Sequence, residues 1–146
     1  MQKLIFFSFF FLFGSIEAKE EYFLTLRYDE VNLRQGPGKD YPIKIFYKKK
    51  FLPVKVQDSS DNFRKIKDHE NNSGWIHISQ LSKKKAAIVN NGDLIMFKNS
   101  TIYSNPVVIL KEGRLVLVDK CKIDWCKVKS GGFKGWIKSE SLWGLF

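Results

Sequence analysis

Groups that can attack a bond or exchange a proton are scarce in this chain, which has two cysteines and two histidines among 146 residues. His69 lies in a polar turn and His77 follows a Gly-Trp-Ile segment, while Cys121 and Cys126 are both in the other half. A Cys-His hydrolase needs the two types together and a thiol kept reduced, so no enzyme and no catalytic residue is expected. Metal sites call for close pairs of ligands, and these four residues show no such spacing; no metal and no other cofactor is expected. The carboxylates are scattered through turns, where solvation accounts for them. Gly36-Pro37-Gly38 sits between strand-like segments instead of opening a helix, so it is no phosphate loop. A helical period is missing as well, since no stretch of about eleven residues sustains one.

Long apolar runs are limited to Leu4–Phe13, about ten residues against the roughly twenty that span a bilayer as a helix. Met1-Gln2-Lys3 precedes that run and Gly14-Ser15-Ile16-Glu17-Ala18 follows it, which is the layout of a cleaved secretory signal. Residues 1–18 are therefore read as a signal peptide cut after Ala18, with Lys19-Glu20-Glu21 beyond it instead of a stop-transfer cluster. No cysteine lies near the cut, so a lipid anchor is not expected. The membrane is met only through this transient segment, and the expected location is periplasmic or secreted. Cleavage would remove Phe6, Phe7, Phe9, Phe10, Phe11 and Phe13 and leave the net charge of +10 unchanged. Along the chain that charge is spread over both halves and Lys83-Lys84-Lys85, whereas nucleic-acid binders concentrate Lys and Arg on one element. No nucleic-acid partner is expected. A diffuse positive field suits anionic surfaces outside the cytoplasm, such as cell-wall carboxylates or lipid phosphates, and also plain solubility.

What the sequence does contain is a repeat. Gly74-Trp75-Ile76-His77-Ile78-Ser79-Gln80-Leu81 returns as Gly135-Trp136-Ile137-Lys138-Ser139-Glu140-Ser141-Leu142. Upstream, Phe63–Lys67 matches Trp125–Lys129, Leu52–Val56 matches Leu115–Val118 with a small slip, and Tyr41–Ile45 matches Asn105–Ile109. Four blocks in one order mean a duplicated unit of about sixty residues, with Ser82-Lys83-Lys84-Lys85 as the boundary. The units are placed at 22–82 and 86–146. Phe23–Tyr28 and Phe63–Lys67 alternate as half-buried strands do, and Leu115–Val118 is a continuous run suited to a buried strand. Gly36-Pro37-Gly38, Ser59-Ser60-Asp61-Asn62, Asn71-Asn72-Ser73-Gly74, Asn90-Asn91-Gly92-Asp93 and Ser130-Gly131-Gly132 carry turn chemistry. Short strands at this spacing predict an all-β chain of two small barrels, whose closure would remove exposed edges.

Units this small have marginal cores. Cys121 and Cys126 flank Lys122–Trp125 at a predicted hairpin tip, where directly opposed residues come within disulfide reach in an oxidising compartment. A disulfide between them is predicted, the alternative being two free thiols. Ser59 and Arg64 hold the matching places in the first unit, so no bridge is available there.

The residues resemble the bacterial SH3-like (SH3b) family, whose units open on an Asn-hydrophobic-Arg-x-Gly-Pro stretch and close on a Gly-Trp-hydrophobic strand. Here these are Asn32-Leu33-Arg34-Gln35-Gly36-Pro37 and Gly74-Trp75-Ile76. The chain is similar in particular to an exported two-unit branch from alphaproteobacteria. That likeness runs through Tyr41-Pro42, Leu52-Pro53-Val54, Asp124-Trp125-Cys126, Gly135-Trp136-Ile137 and Leu142-Trp143-Gly144. Departures are Phe63 where the family more often has Trp, Phe51 where a turn glycine is usual, and Lys98–Tyr103 in place of the second opening motif. The resemblance implies two tandem SH3-like β-barrels and a binding role. Its implied ligand is cell-wall peptidoglycan or its peptides, or alternatively an extended peptide of an envelope protein docked by an adaptor.

Candidate ligand-binding residues are Arg34, Asp40, Tyr41 and Tyr47, expected to be exposed around the Gly-Pro-Gly loop, and Trp75. For Trp75 and Trp136 the competing expectation is burial in the barrel core. The tail Trp143-Gly144-Leu145-Phe146 is read as a final strand sealing the seam between units, or as a patch for a partner.

Overall fold

The computed structural model describes residues 14–15 and 19–145. The expected signal segment therefore lies outside the described residues, apart from Gly14 and Ser15. Among the described residues there are fourteen strands and no α-helix. The first seven strands are β1 (Tyr22–Leu26), β2 (Val31–Arg34), β3 (Ile43–Tyr47), β4 (Pro53–Ser60), β5 (Phe63–Lys67), β6 (Ser73–His77) and β7 (Leu81–Ser82). The second seven are β8 (Ala86–Val89), β9 (Leu94–Phe97), β10 (Pro106–Leu110), β11 (Leu115–Lys122), β12 (Trp125–Ser130), β13 (Phe133–Lys138) and β14 (Leu142–Trp143). Their sheet orders are β3-β2-β6-β5-β4-β1-β7 and β10-β9-β13-β12-β11-β8-β14, the same path strand for strand. The duplication seen in the sequence is thus a duplication of topology.

Alternation along each strand decides which residues meet inside. Leu26, Leu33, Val54, Ile66 and Ile76 form the first core with no or almost no exposure, and Met96, Val116, Cys126, Val128 and Ile137 form the second. Leu115–Val118 alternates too, with Val116 and Val118 inward and Leu115 and Leu117 half-buried on the other face. The run is continuous in sequence because that other face is also covered, Leu115 packing against the first core. Ile88 of β8 joins the first core as well, so the two units share apolar packing. Trp143, which ends β14, stands edge-on to Phe23 with ring centres 5.0 Å apart, and Gly144 lies against Pro53, so the tail seals the seam between units.

Three local expectations differ from the structure. Ser59 and Ser60 stay within β4, and the turn is Asp61-Asn62, with Asp61 at φ 48°. The cross-strand register puts Ile43, not Pro42, in the place of Pro106, because Ile43 pairs with Arg34 as Pro106 pairs with Phe97. The bulge falls at the same place in both pairs, so the offset comes from matching the two prolines and not from the bulge. Nor does hydrogen bonding close either sheet: β3 and β7 are edges of the first, β10 and β14 of the second.

The Gly-Trp-Ile strand is explained by what crosses it. A Cβ on Gly74 would lie 2.7 Å from the Arg34 carbonyl oxygen and 2.7 Å from Leu33 Cγ; one on Gly135 would lie 2.5 Å from the Phe97 carbonyl oxygen and 2.7 Å from Met96 Cγ. Glycine is needed there for close approach. Ile76 and Ile137 then point inward, fully buried. Trp75 and Trp136, one residue earlier, fall on the outer face and are half-buried, so the expectation that they seal the core is wrong. Their neighbours in sequence take the core positions because side chains alternate along a strand.

Cys121 and Cys126 form the predicted disulfide, directly opposed across β11 and β12 with Cα atoms 4.1 Å apart. Ser59 opposes Arg64 at the matching place. Because the loop is short, replacing both cysteines by serine should cost about 2 kcal/mol in chemical denaturation. Gly74→Ala and Gly135→Ala should each cost about 1–3 kcal/mol, since the clash is with backbone; a loss below a few tenths would contradict the close-approach account.

Candidate functional site

The Arg34–Tyr41 loop of the first unit is held by its own arginine. Arg34 ends β2, and its Nη1 donates to the Lys39 carbonyl at 3.1 Å and to the Tyr41 carbonyl at 3.0 Å. The Tyr41 ring lies against Gly36 and Gly38, where a Cβ would come within 2.3 Å and 3.3 Å of it. The Gly-Pro-Gly sequence thus makes room for a tyrosine that is still 48% exposed. Asp40 is exposed beside it.

Beside this loop a groove of about 240 Å³ is lined by Asn32, Arg34, Lys39, Phe63, His77, Ser79 and Gln80. Phe63 opposes His77 across β5 and β6, their rings edge to face at 5.1 Å. His77 Nδ1 accepts the Ser79 N–H at 3.1 Å, so the neutral ring carries its proton on Nε2. The groove offers Arg34 and Lys39 as cations, Asn32, Ser79 and Gln80 as neutral polar groups and Phe63 as an apolar floor. Such a set can hold a carboxylate on an extended ligand. Wider hollows of about 710 and 940 Å³ follow the seam between units, flanked by Phe51, Leu117 and Phe133 in one and Phe23, Val118 and Leu145 in the other. They belong to the packing between units.

Of the residues singled out in the sequence, Arg34 lies in the groove, Asp40 and Tyr41 on its loop, and Trp75 opposite Arg34 on β6. Tyr47 differs. It is 8% exposed, pointing inward from β3, and its hydroxyl donates to Asp68 Oδ2 at 2.8 Å. Asp68 is itself buried and also accepts from the Glu70 and Asn72 backbone N–H groups and the Asn72 side-chain amide. A buried tyrosine needs a partner for its hydroxyl, and this one finds it in the β5–β6 turn. In the second unit Ser130 stands in the place of Asp68, donating to the Leu115 carbonyl at 3.1 Å and accepting from Arg114 Nε.

Sequence reading missed the groove residues Asn32, Lys39, Phe63, His77, Ser79 and Gln80 as a set. Phe63 and His77 could have been joined by pairing the two strands, but Lys39 reaches the groove from a loop and Ser79 and Gln80 from the 3-10 turn after β6. Among the described residues, no group of three His, Cys, Asp or Glu side chains could hold a metal ion.

A family model described as bacterial SH3 domain matches residues 27–83 and again residues 95–144, well over half of the chain. The chain belongs to the bacterial SH3 domain family. The two matched segments fall one on each seven-stranded sheet, so each sheet is a bacterial SH3 domain and the chain is a tandem pair. No curated protein matches the sequence. Among solved structures, the chain is similar to NlpC2 from Trichomonas vaginalis, with 11% identity and a TM-score of 0.39, over 85% of this chain and 48% of that one. NlpC1 from Trichomonas vaginalis gives 12% identity and a TM-score of 0.38, over 88% of this chain and 47% of that one. The chain thus spans about half the length of these structures.

Burial first, then the hydrogen bond to Asp68 and the charges of Asp68 and Glu70, push the Tyr47 hydroxyl well above the usual tyrosine value. A raised folded-state value means that the associated stability is complete below about pH 10 and is lost as pH climbs beyond it. Tyr47→Phe should therefore leave the phenolate absorbance titration of the folded protein unchanged up to its alkaline unfolding. The same change should cost about 1 kcal/mol, and Asp68→Ala about 2–3 kcal/mol because it strands buried donors. A tyrosinate signal that disappears with Tyr47→Phe in the folded range would contradict this assignment.

Proposed function

We propose that this chain is a non-catalytic, extracytoplasmic binding module that holds a carboxylate-bearing cell-wall component, peptidoglycan or its stem peptides, in the groove of the first domain. Arg34 carries the reading. Both of its described hydrogen bonds use Nη1, which leaves Nε and Nη2 without a protein acceptor among the described residues. A guanidinium braced on one nitrogen and open on the others is placed to bind a carboxylate as a fork. Lys39 adds a second cation, and Phe63 gives the ligand's apolar part something to cover. Membership of the bacterial SH3 domain family, the disulfide and the signal-like start support a location outside the cytoplasm.

The matching position in the second domain is Phe97, which opposes Trp136 as Arg34 opposes Trp75 and stacks edge-on to Trp125 at 5.8 Å. That ring occupies the space and supplies no charge, so wall binding is assigned to the first domain alone. A second reading, an adaptor docking an extended peptide of an envelope protein, is favoured by the free edge of β3, which carries the 63% exposed Phe46. A single protein partner that survives cell-wall digestion after crosslinking in cells would select it.

Purified sacculi should retain the protein at low and physiological salt. Arg34→Ala should lower that retention about tenfold, the value of a charge-assisted hydrogen bond, and Arg34→Lys should not restore it fully. Protein left in the supernatant under both conditions would end the wall-binding reading.

A further inference from the structure

The second domain concentrates a charge that the sequence spreads. Lys120, Lys127 and Lys134 oppose or flank one another on the outer face of β11, β12 and β13, and Lys122, Lys129 and Lys138 complete the same face. The register is Lys120↔Lys127 and Lys122↔Trp125 between β11 and β12, then Lys129↔Lys134 and Trp125↔Lys138 between β12 and β13. The intervening residues Cys126, Val128, Gly135 and Ile137 point inward and are buried, which fixes all six lysines on the outside.

The first domain supplies an internal control, because its strands follow the same path. At the six corresponding places it has Asp58, Ser60, Lys65, Lys67, Ser73 and His77. Two lysines and one aspartate have become six lysines. One further lysine on that face, Lys55, is paired with Glu21 at 3.6 Å, and its counterpart is Leu117. Like charges directly across a ladder destabilise a sheet, so folding alone does not favour this arrangement. Among the described residues, none of the six makes an ion pair. Three instead lie over tryptophan rings: Lys122 at 4.6 Å and Lys120 at 5.9 Å from Trp136, and Lys138 at 5.0 Å from Trp125.

Apolar groups adjoin the lysines. Ile123, at the tip of the β11–β12 hairpin and next to Lys122, is 89% exposed, where the first domain has the polar turn Asp61-Asn62. On the neighbouring strands, Ile95 faces Ile109 across β9 and β10 with both exposed, where the first domain pairs Asn32 with Phe46. We propose that this face of the second domain docks on an anionic phospholipid bilayer, the lysines meeting headgroup phosphates and Ile123 entering the interface. The cover of lysines over Trp136 argues against a sugar chain stacked on that ring. A field of lysines bordered by exposed isoleucines is complementary to a lipid surface in both charge and polarity. Reading the chain linearly gave the membrane only a passing role, because the six lysines alternate with core residues and gather only when the strands pair.

The test is sedimentation of the full chain with vesicles of phosphatidylcholine alone and of phosphatidylcholine mixed with phosphatidylglycerol. Binding is expected only to the mixed vesicles and should fall as salt rises. Lys127→Gln with Lys129→Gln should weaken it about 25-fold, at roughly fivefold per lysine. Lys65→Gln with Lys67→Gln removes the same charge from the matching places and should leave binding within about twofold. Both variants keep the Leu4–Phe13 run, so their difference reads the face and not the amino terminus. Ile123→Ser should weaken binding several-fold at every salt concentration. Equal loss in the two lysine pairs, or no preference for the mixed vesicles, would overturn the proposal. Capture by dextran sulfate with no binding to mixed vesicles would overturn it too, in favour of a soluble polyanion.

Discussion

The Arg34 carbonyl oxygen passes so close to Gly74 that a methyl group there would sit 2.7 Å away, and the Phe97 carbonyl does the same to Gly135. Everything built on β6 and β13 depends on this crossing. It holds β2 against β6 and β9 against β13, and it sets the phase of the strand so that isoleucine enters the core. The tryptophan must then face outward. The outer surface of each domain is organised around that residue, with Arg34 opposite Trp75 in one copy and Phe97 opposite Trp136 in the other.

With the same crossing in both copies, the differences between them are confined to the outer face. The first copy keeps a small polar groove in which a braced arginine sits near Phe63 and His77. The second fills that place with Phe97 against Trp125 and covers Trp125 with Lys138. Below the face, the buried hub of Asp68 and Tyr47 in one copy is replaced by Ser130 and Arg114 in the other. Both serve the same need, to satisfy polar groups where the strand leaves the core. Duplication has thus kept the core problem constant while the two surfaces moved toward different chemistry.

Much of this was legible in the sequence, for physical reasons that can be named. Gly-Trp-Ile recurs because a backbone crossing admits only glycine, and a recurrence of that kind survives linear reading. Cys121 and Cys126 were joined because a short hairpin forces opposed residues together. Tyr47 was misplaced because it was grouped with the Gly-Pro-Gly loop beside Arg34 and Asp40, while the alternation of β3 turns its ring inward to Asp68. Trp75 and Trp136 were misplaced because size suggests burial, and only the phase set by the adjacent glycine decides the side. The groove itself joins residues from β2, β5, β6, one loop and the 3-10 turn after β6, and the lysine face joins three strands. Neither could be read without the pairing register.

Two copies of one domain present different surfaces, and the groove belongs to the first. Nuclear magnetic resonance titration of the isotopically labelled protein with soluble wall peptides bearing free carboxylates tests it most directly. Shifts are predicted to gather at Asn32–Tyr41, Phe63 and His77–Gln80, leaving Ile95–Phe97, Trp125 and Lys138 unmoved. Equal shifts at the matching positions of both domains, or shifts confined to the second, would contradict it.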